Sequence, residues 1–195
     1  MVTPEGGEIF GQYKSEIIPY LNWKNEWTEV DLLPAQASGK SAHAEGSETL
    51  ASGLLSHSEG WASQALGRTT HAEGCNTIAG GEKAEKDPDG NVVYTTDDHA
   101  EGNLTEATGG ASHAEGHRTK ASASYAHAEG SVTVAAGTNS HTEGNYTYAG
   151  AHCAHAEGYG GSKQDENGEW VINIEGYGAH GQYSHVEGRQ GYAKG

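Results

Sequence analysis

The chain has 195 residues, enough for one domain of ordinary size, and a formal charge of −16 with only 11 Lys and Arg. That balance argues against nucleic acid or anionic membrane as a partner. Hydrophobic content is 34%, with one Phe and one Met, so a conventional core of Leu, Ile and Phe cannot be built.

Residues 1–34 do not repeat and hold Phe10, Trp23 and Trp27. They are read as an N-terminal cap or attachment segment, because the ends of a repeat rod leave apolar surface and open edges to cover. MVTPEGGEIF has no basic n-region and no apolar h-region, so no signal peptide is expected. No apolar run approaches membrane-spanning length, and no membrane insertion is expected.

Residues 35–195 form a repeat domain whose clean unit is AHAEGSVTVAAGTN at 126–139. Its second and fourth positions are His43 and Glu45, His57 and Glu59, His71 and Glu73, His99 and Glu101, and His113 and Glu115. They continue as His127 and Glu129, His141 and Glu143, His155 and Glu157, and His185 and Glu187. Successive histidines are 14 residues apart except for one step of 28 and one of 30. Position 5 is Gly, position 8 is usually Thr with Ser63 standing in once, and position 10 is Ala in most units, from Ala51 to Ala149. Constrained and free positions alternate, which is the period of a strand. Gly at positions 5 and 12 splits each unit into two short strands joined by tight turns. The prediction is an all-β parallel β-roll, or β-solenoid, with 14-residue coils stacked about 4.8 Å apart.

Insertions at about 82–97 and 162–173 interrupt the rod. Asp89-Gly90 and Asn167-Gly168 precede Val92-Val93-Tyr94 and Trp170-Val171-Ile172, which predicts a β-hairpin in each. After the second, NIEG at 173–176 reads as a coil in which Asn173 replaces His.

On a strand, His and Glu share one face and position 3 takes the other. Position 3 is small: Ala44, Ala72, Ala100, Ala114, Ala128 and Ala156, with Ser58 and Thr142. A solvent-facing position has no need to stay small, so both faces are expected to be buried, which implies homo-oligomerisation. Sheets that pack about 10 Å apart are filled better by His and Glu than by Ala. The His/Glu ladder is therefore expected inside the roll, as a polar core that fixes register, with the alanines at the subunit contact. The reverse arrangement, with His–Glu pairs between subunits, stays open. Buried ionic pairs would raise the His pKa values, lower those of Glu, and place maximum stability in mildly acidic solution.

The unit S-H-A-E-G-x-x-T-x-A-x-G resembles the S-V-A-I-G-x-x-A-x-A-x-G head repeat of YadA-type trimeric autotransporter adhesins over about 36–195. Its His/Glu form is similar to repeats of phage tail-fibre and prophage appendage proteins from Gram-positive bacteria. The resemblance implies a left-handed roll, a homotrimer, and attachment at a virion tail fibre or a bacterial cell surface. In the adhesin head two apolar residues fill the interior at the positions of the His and Glu columns. The polar pair, and the lack of a recognisable stalk or β-anchor, favour a fibre module over an autotransporter proper. The expected function is a rigid trimeric spacer that binds a host-surface glycan or protein receptor through its projecting hairpins. Candidate contacts are Tyr94, Tyr148 and Trp170, which could equally pack across subunits.

No catalytic residue, metal or cofactor is expected. H-x-E occurs in zinc deaminases, but the accompanying PCxxC is absent here, as is HExxH. Two alternatives are a metal-binding His/Glu roll completed by symmetry and a glycan-cleaving tailspike using Asp97-Asp98, although that pair reads better as a solvated turn. A flat Thr column would suit ice, but Ala accompanies it and Glu106 and Lys120 intervene. Cys75 and Cys153 are expected as small, half-buried thiols rather than a disulfide.

Overall fold

A computed structural model describes residues 17–21, 27–31, 34–80, 85–86, 92–93 and 97–194. The repeat forms an all-β parallel solenoid of about ten coils, with no helix among the described residues. One sheet has nine strands, from His43–Ser47 to His185–Val186. The other has ten, each of two residues, from Gln36–Ala37 to Tyr192–Ala193. Register is residue for residue: His99 lies opposite His113, Ala100 opposite Ala114 and Glu101 opposite Glu115.

Two corners per coil turn the chain, each holding a residue in the left-handed region. Position 7 supplies one, as in Asn76 (φ 54°), Arg118 (φ 55°) and Val132 (φ 56°). Position 14 supplies the other, as in Leu55 (φ 59°), Tyr125 (φ 58°) and Asn139 (φ 57°). That conformation costs about 1–2 kcal/mol per non-glycine residue. Coil-to-coil hydrogen bonds at the same atoms offset it: Val132 N–H donates to His117 O at 2.8 Å and Tyr125 N–H to Gly110 O at 3.0 Å. These positions vary freely in sequence because the backbone, not the side chain, makes the corner.

Position 5 is different. Gly130 has φ +102°, and a Cβ there would lie 2.2 Å from Gly144 O in the next coil. The same clash repeats up the column, so only Gly lets the coils stack.

The interior is narrow and made of small residues. Ala72, Ala100, Ala114 and Ala128 at position 3, and Thr77, Thr105 and Thr133 at position 8, are 0% exposed. This corrects the expected facing: the position-3 alanines line the roll, and the His and Glu columns point outward. The sandwich spacing used to place them does not apply, because short corners hold these two sheets too close for an imidazole between them. The small residues at position 3 therefore need no partner subunit to explain them. The Thr column is sealed inside, so it offers no surface to ice. At position 1, Ser56 and Thr70 hydroxyls donate to Gly53 O and Gly67 O at 2.8 Å, bracing the corner three residues back.

The long steps each hold one coil plus an excursion. His71 pairs with His99, and His155 pairs directly with His185. The segment Asn173–Gly176 is thus not a coil of the His sheet, contrary to its NIEG signature; Asn173 N–H instead donates to Gly161 O at 2.7 Å. Within the excursions, Glu85–Lys86 pairs antiparallel with Val92–Val93, and Ser162–Gln164 with Trp170–Ile172. Asp165 Oδ1 accepts from the N–H groups of Asn167 and Glu169, both at 2.9 Å, shaping the loop between the latter pair. Ile17–Leu21 pairs antiparallel with Trp27–Asp31. Pro34 bridges to Ser47, and the rest of the expected cap, together with Asp89-Gly90 and Tyr94, lies outside the described residues.

Candidate functional site: an outward His–Glu face

In-register stacking turns a two-residue motif into a continuous surface. Each HAEG strand sends His and Glu outward and Ala inward, and parallel pairing sets every His above the previous one. Ring centroids of His57, His71, His99, His113, His127, His141 and His155 follow one another at 4.8–4.9 Å, with planes within 13° of parallel. His43 and His185 extend the column at its two ends. Beside it, Glu45, Glu59, Glu73 and Glu101 line an open groove with their glycines.

The two columns touch. Within a coil, Nε2 of His71 lies 3.5 Å from Glu73 Oε2, and Nε2 of His99 lies 3.7 Å from Glu101 Oε2. Elsewhere the approach is to the preceding coil: His141 Nε2 is 3.4 Å from Glu129 Oε1 and His185 Nε2 is 3.3 Å from Glu157 Oε1. Some carboxylates thus face the imidazole of their own coil and others that of the following one. The side chains are about one-third exposed, 35% for both His71 and Glu73. Yet the Nε2 atoms of His57, His71, His99, His113, His127, His141 and His155 have almost no accessible surface and no hydrogen-bond partner among the described residues. The rings are covered by their neighbours in the stack, with the reactive nitrogen turned towards the carboxylate but out of bonding geometry.

Burial holds the imidazoles of His113, His141 and His155 below their ordinary pKa, and neighbouring histidines push the same way, against the pull of nearby glutamates. This reverses the direction expected for buried ionic pairs. The physical reason is the stack itself: neighbouring rings cover each imidazole from water, and a protonated ring would in addition lie 4.8 Å from the next.

Asp98, read as part of a solvated turn, is 1% exposed. Its Oδ1 accepts from Gly110 N–H at 2.9 Å, Ser112 N–H at 2.8 Å and Ser112 Oγ at 2.6 Å, and Asp97 bonds the Thr69 hydroxyl. These carboxylates hold the corner where the first excursion rejoins the rod. Cys75 and Cys153 are free and half-buried.

No family model, curated protein or solved structure matches the chain. Function has to be read from the site. Among the candidate contacts, Trp170 is 54% exposed, and Arg118 Nη2 pairs with Glu169 Oε2 at 3.2 Å to tie the second excursion to a coil corner. Tyr148 is half-buried, its ring 5.1 Å from His180, which lies 4.9 Å from Tyr192. That aromatic run on the second sheet was missed in the sequence, because His180 lies outside the repeated motif and only the coil register places it beside Tyr148.

Proposed function

We propose that the chain is a non-enzymatic fibre module: a rigid β-solenoid that associates through its His–Glu face as a homotrimer and carries receptor contacts on its excursions. One observation supports this reading above the others. Of the outward positions, 2 and 4 are held through nine coils, while 6, 7, 9, 13 and 14 vary. A face held constant along a rod of roughly 40 Å is under a uniform demand, as contact between parallel copies would impose. The resemblance to trimeric adhesin heads and phage fibre repeats suggests a left-handed roll and a place on a virion tail fibre or a bacterial surface.

The second part of the reading concerns the receptor, a host-surface glycan or protein. Trp170 on the second excursion, with Tyr148 on the sheet face, offers the flat apolar rings that sugars stack on. Light scattering on an untagged preparation tests the assembly: a trimer mass is expected, and a monomer at all concentrations refutes it. A glycan array probed with the wild type and W170A tests the receptor contact. Loss of a bound glycan in the variant is expected, and equal binding by both removes Trp170 from the contact.

A further inference from the structure

An outward His–Glu column whose Nε2 atoms lack a hydrogen-bond partner is a row of metal donors, reached when each ring tilts out from under its neighbours, and its spacing decides how an ion could sit on it. Imidazole nitrogen and carboxylate oxygen bind zinc at about 2.0–2.2 Å, so neighbouring donors of one ion lie about 3.0 Å apart in an octahedral shell and about 3.4 Å in a tetrahedral one, and no two can exceed about 4.2 Å. The within-coil pairs His71–Glu73 (3.5 Å) and His99–Glu101 (3.7 Å) already lie inside that limit. The stacked histidines do not. Parallel rings 4.8 Å apart hold their Nε2 atoms at about the same separation, beyond what one ion can span. Sets such as His99, Glu101 and His113, whose donor atoms lie within 4.8 Å of one another, therefore cannot all close on one ion without breaking the stack. With each Glu serving its own step, one chain offers one nitrogen and one oxygen per coil, which is half a tetrahedral site or a third of an octahedral one.

We propose that the His–Glu columns bind a file of divalent transition-metal ions of the zinc class, each held by the His–Glu pair of one coil from every copy of the chain in the fibre. This rests on the oligomer reading above and deepens it: the ions would lie between copies, where the face is held constant. The donor set suits borderline ions such as Zn2+ and Ni2+, whereas Mg2+ prefers a shell of oxygens. Charge also fits, because three carboxylates at each step offset an ion that would otherwise repel its neighbours along the file.

The test uses the untagged full chain, stripped with chelator and then titrated with Zn2+, Ni2+ or Mg2+, with bound metal measured by elemental analysis and mass by light scattering. The expected result is a trimer that takes up about one Zn2+ or Ni2+ per three His–Glu pairs, ignores Mg2+, and melts higher when loaded. The triple variant E101Q/E115Q/E129Q keeps side-chain size on the outward face and should lose about one-third of the capacity while keeping its circular dichroism. A trimer that takes up no Zn2+ or Ni2+ overturns the metal file and leaves the oligomer reading standing. A monomer binding one ion per pair overturns sharing between copies. A monomer that binds nothing overturns both. Unchanged capacity in the triple variant overturns the assignment to these glutamates.

Discussion

The glycine at position 5 makes the sharpest demand on the stack. In Gly130→Ala, the added Cβ would sit 2.2 Å from Gly144 O, about 1 Å inside ordinary contact, at a φ of +102° that an L side chain rarely adopts. The backbone conformation alone costs about 1–3 kcal/mol. The obstructed oxygen is also the acceptor of Ser131 N–H at 2.8 Å, so opening the coils by an ångström sacrifices that bond, a further 1–3 kcal/mol or so if the group stays buried. The sum is about 2–6 kcal/mol, which for a chain of this size lowers the melting temperature by roughly 5–20 °C. Gly168→Ala is the control: its φ is +81° but nothing lies within 4 Å of the added atom, so only the smaller conformational penalty applies. Thermal melts followed by circular dichroism compare the two. If G130A melts within a degree or two of G168A, the close coil contact at position 5 is wrong, and with it the in-register stack.

Three other perturbations test the orientation of the faces and the polar groups inside. Ala128→Leu forces a large side chain into a site that is 0% exposed and should destabilise by about 1–3 kcal/mol in urea melts; a neutral result would return the alanines to the outer surface. Asp98→Ala orphans the N–H groups of Gly110 and Ser112 and should cost about 2–4 kcal/mol by the same assay, whereas no loss would mean water replaces the carboxylate. Stability should fall as pH drops below about 6.5, because His113, His141 and His155 titrate lower when folded than unfolded. The unfolded chain then binds more protons in that window, so folding is favoured on its alkaline side, and a melting temperature that rises between pH 7 and 5.5 would refute neutral, stacked imidazoles.

Much of the architecture was legible from the repeat. A 14-residue period with alternating small positions leaves little besides a two-stranded coil, but Gly at position 5, read as a turn, lies within the strand at the contact between coils, and the turns fall at positions 7 and 14. The facing of the HAEG strand was not legible. Period 2 says that His and Glu share a face and Ala takes the other, but it is symmetric between inside and outside. The choice depends on how far apart the two sheets lie, which the corners set. Those corners leave little trace in the sequence, since Val132, Tyr125 and Arg118 adopt left-handed backbone that their side chains do not favour. NIEG misled for a related reason: a local signature of four residues is outweighed by the pairing of His155 with His185, which only the stacked coils determine.

By itself, then, the sequence determined the repeat length, the strand period and the pairing of His with Glu on one face, because each follows from local geometry repeated many times. The tertiary structure alone decided which face is core, that the imidazoles stack with their nitrogens unpaired, and that Asp98 is buried, because those depend on the distance between sheets and on what the neighbouring coil places opposite each side chain.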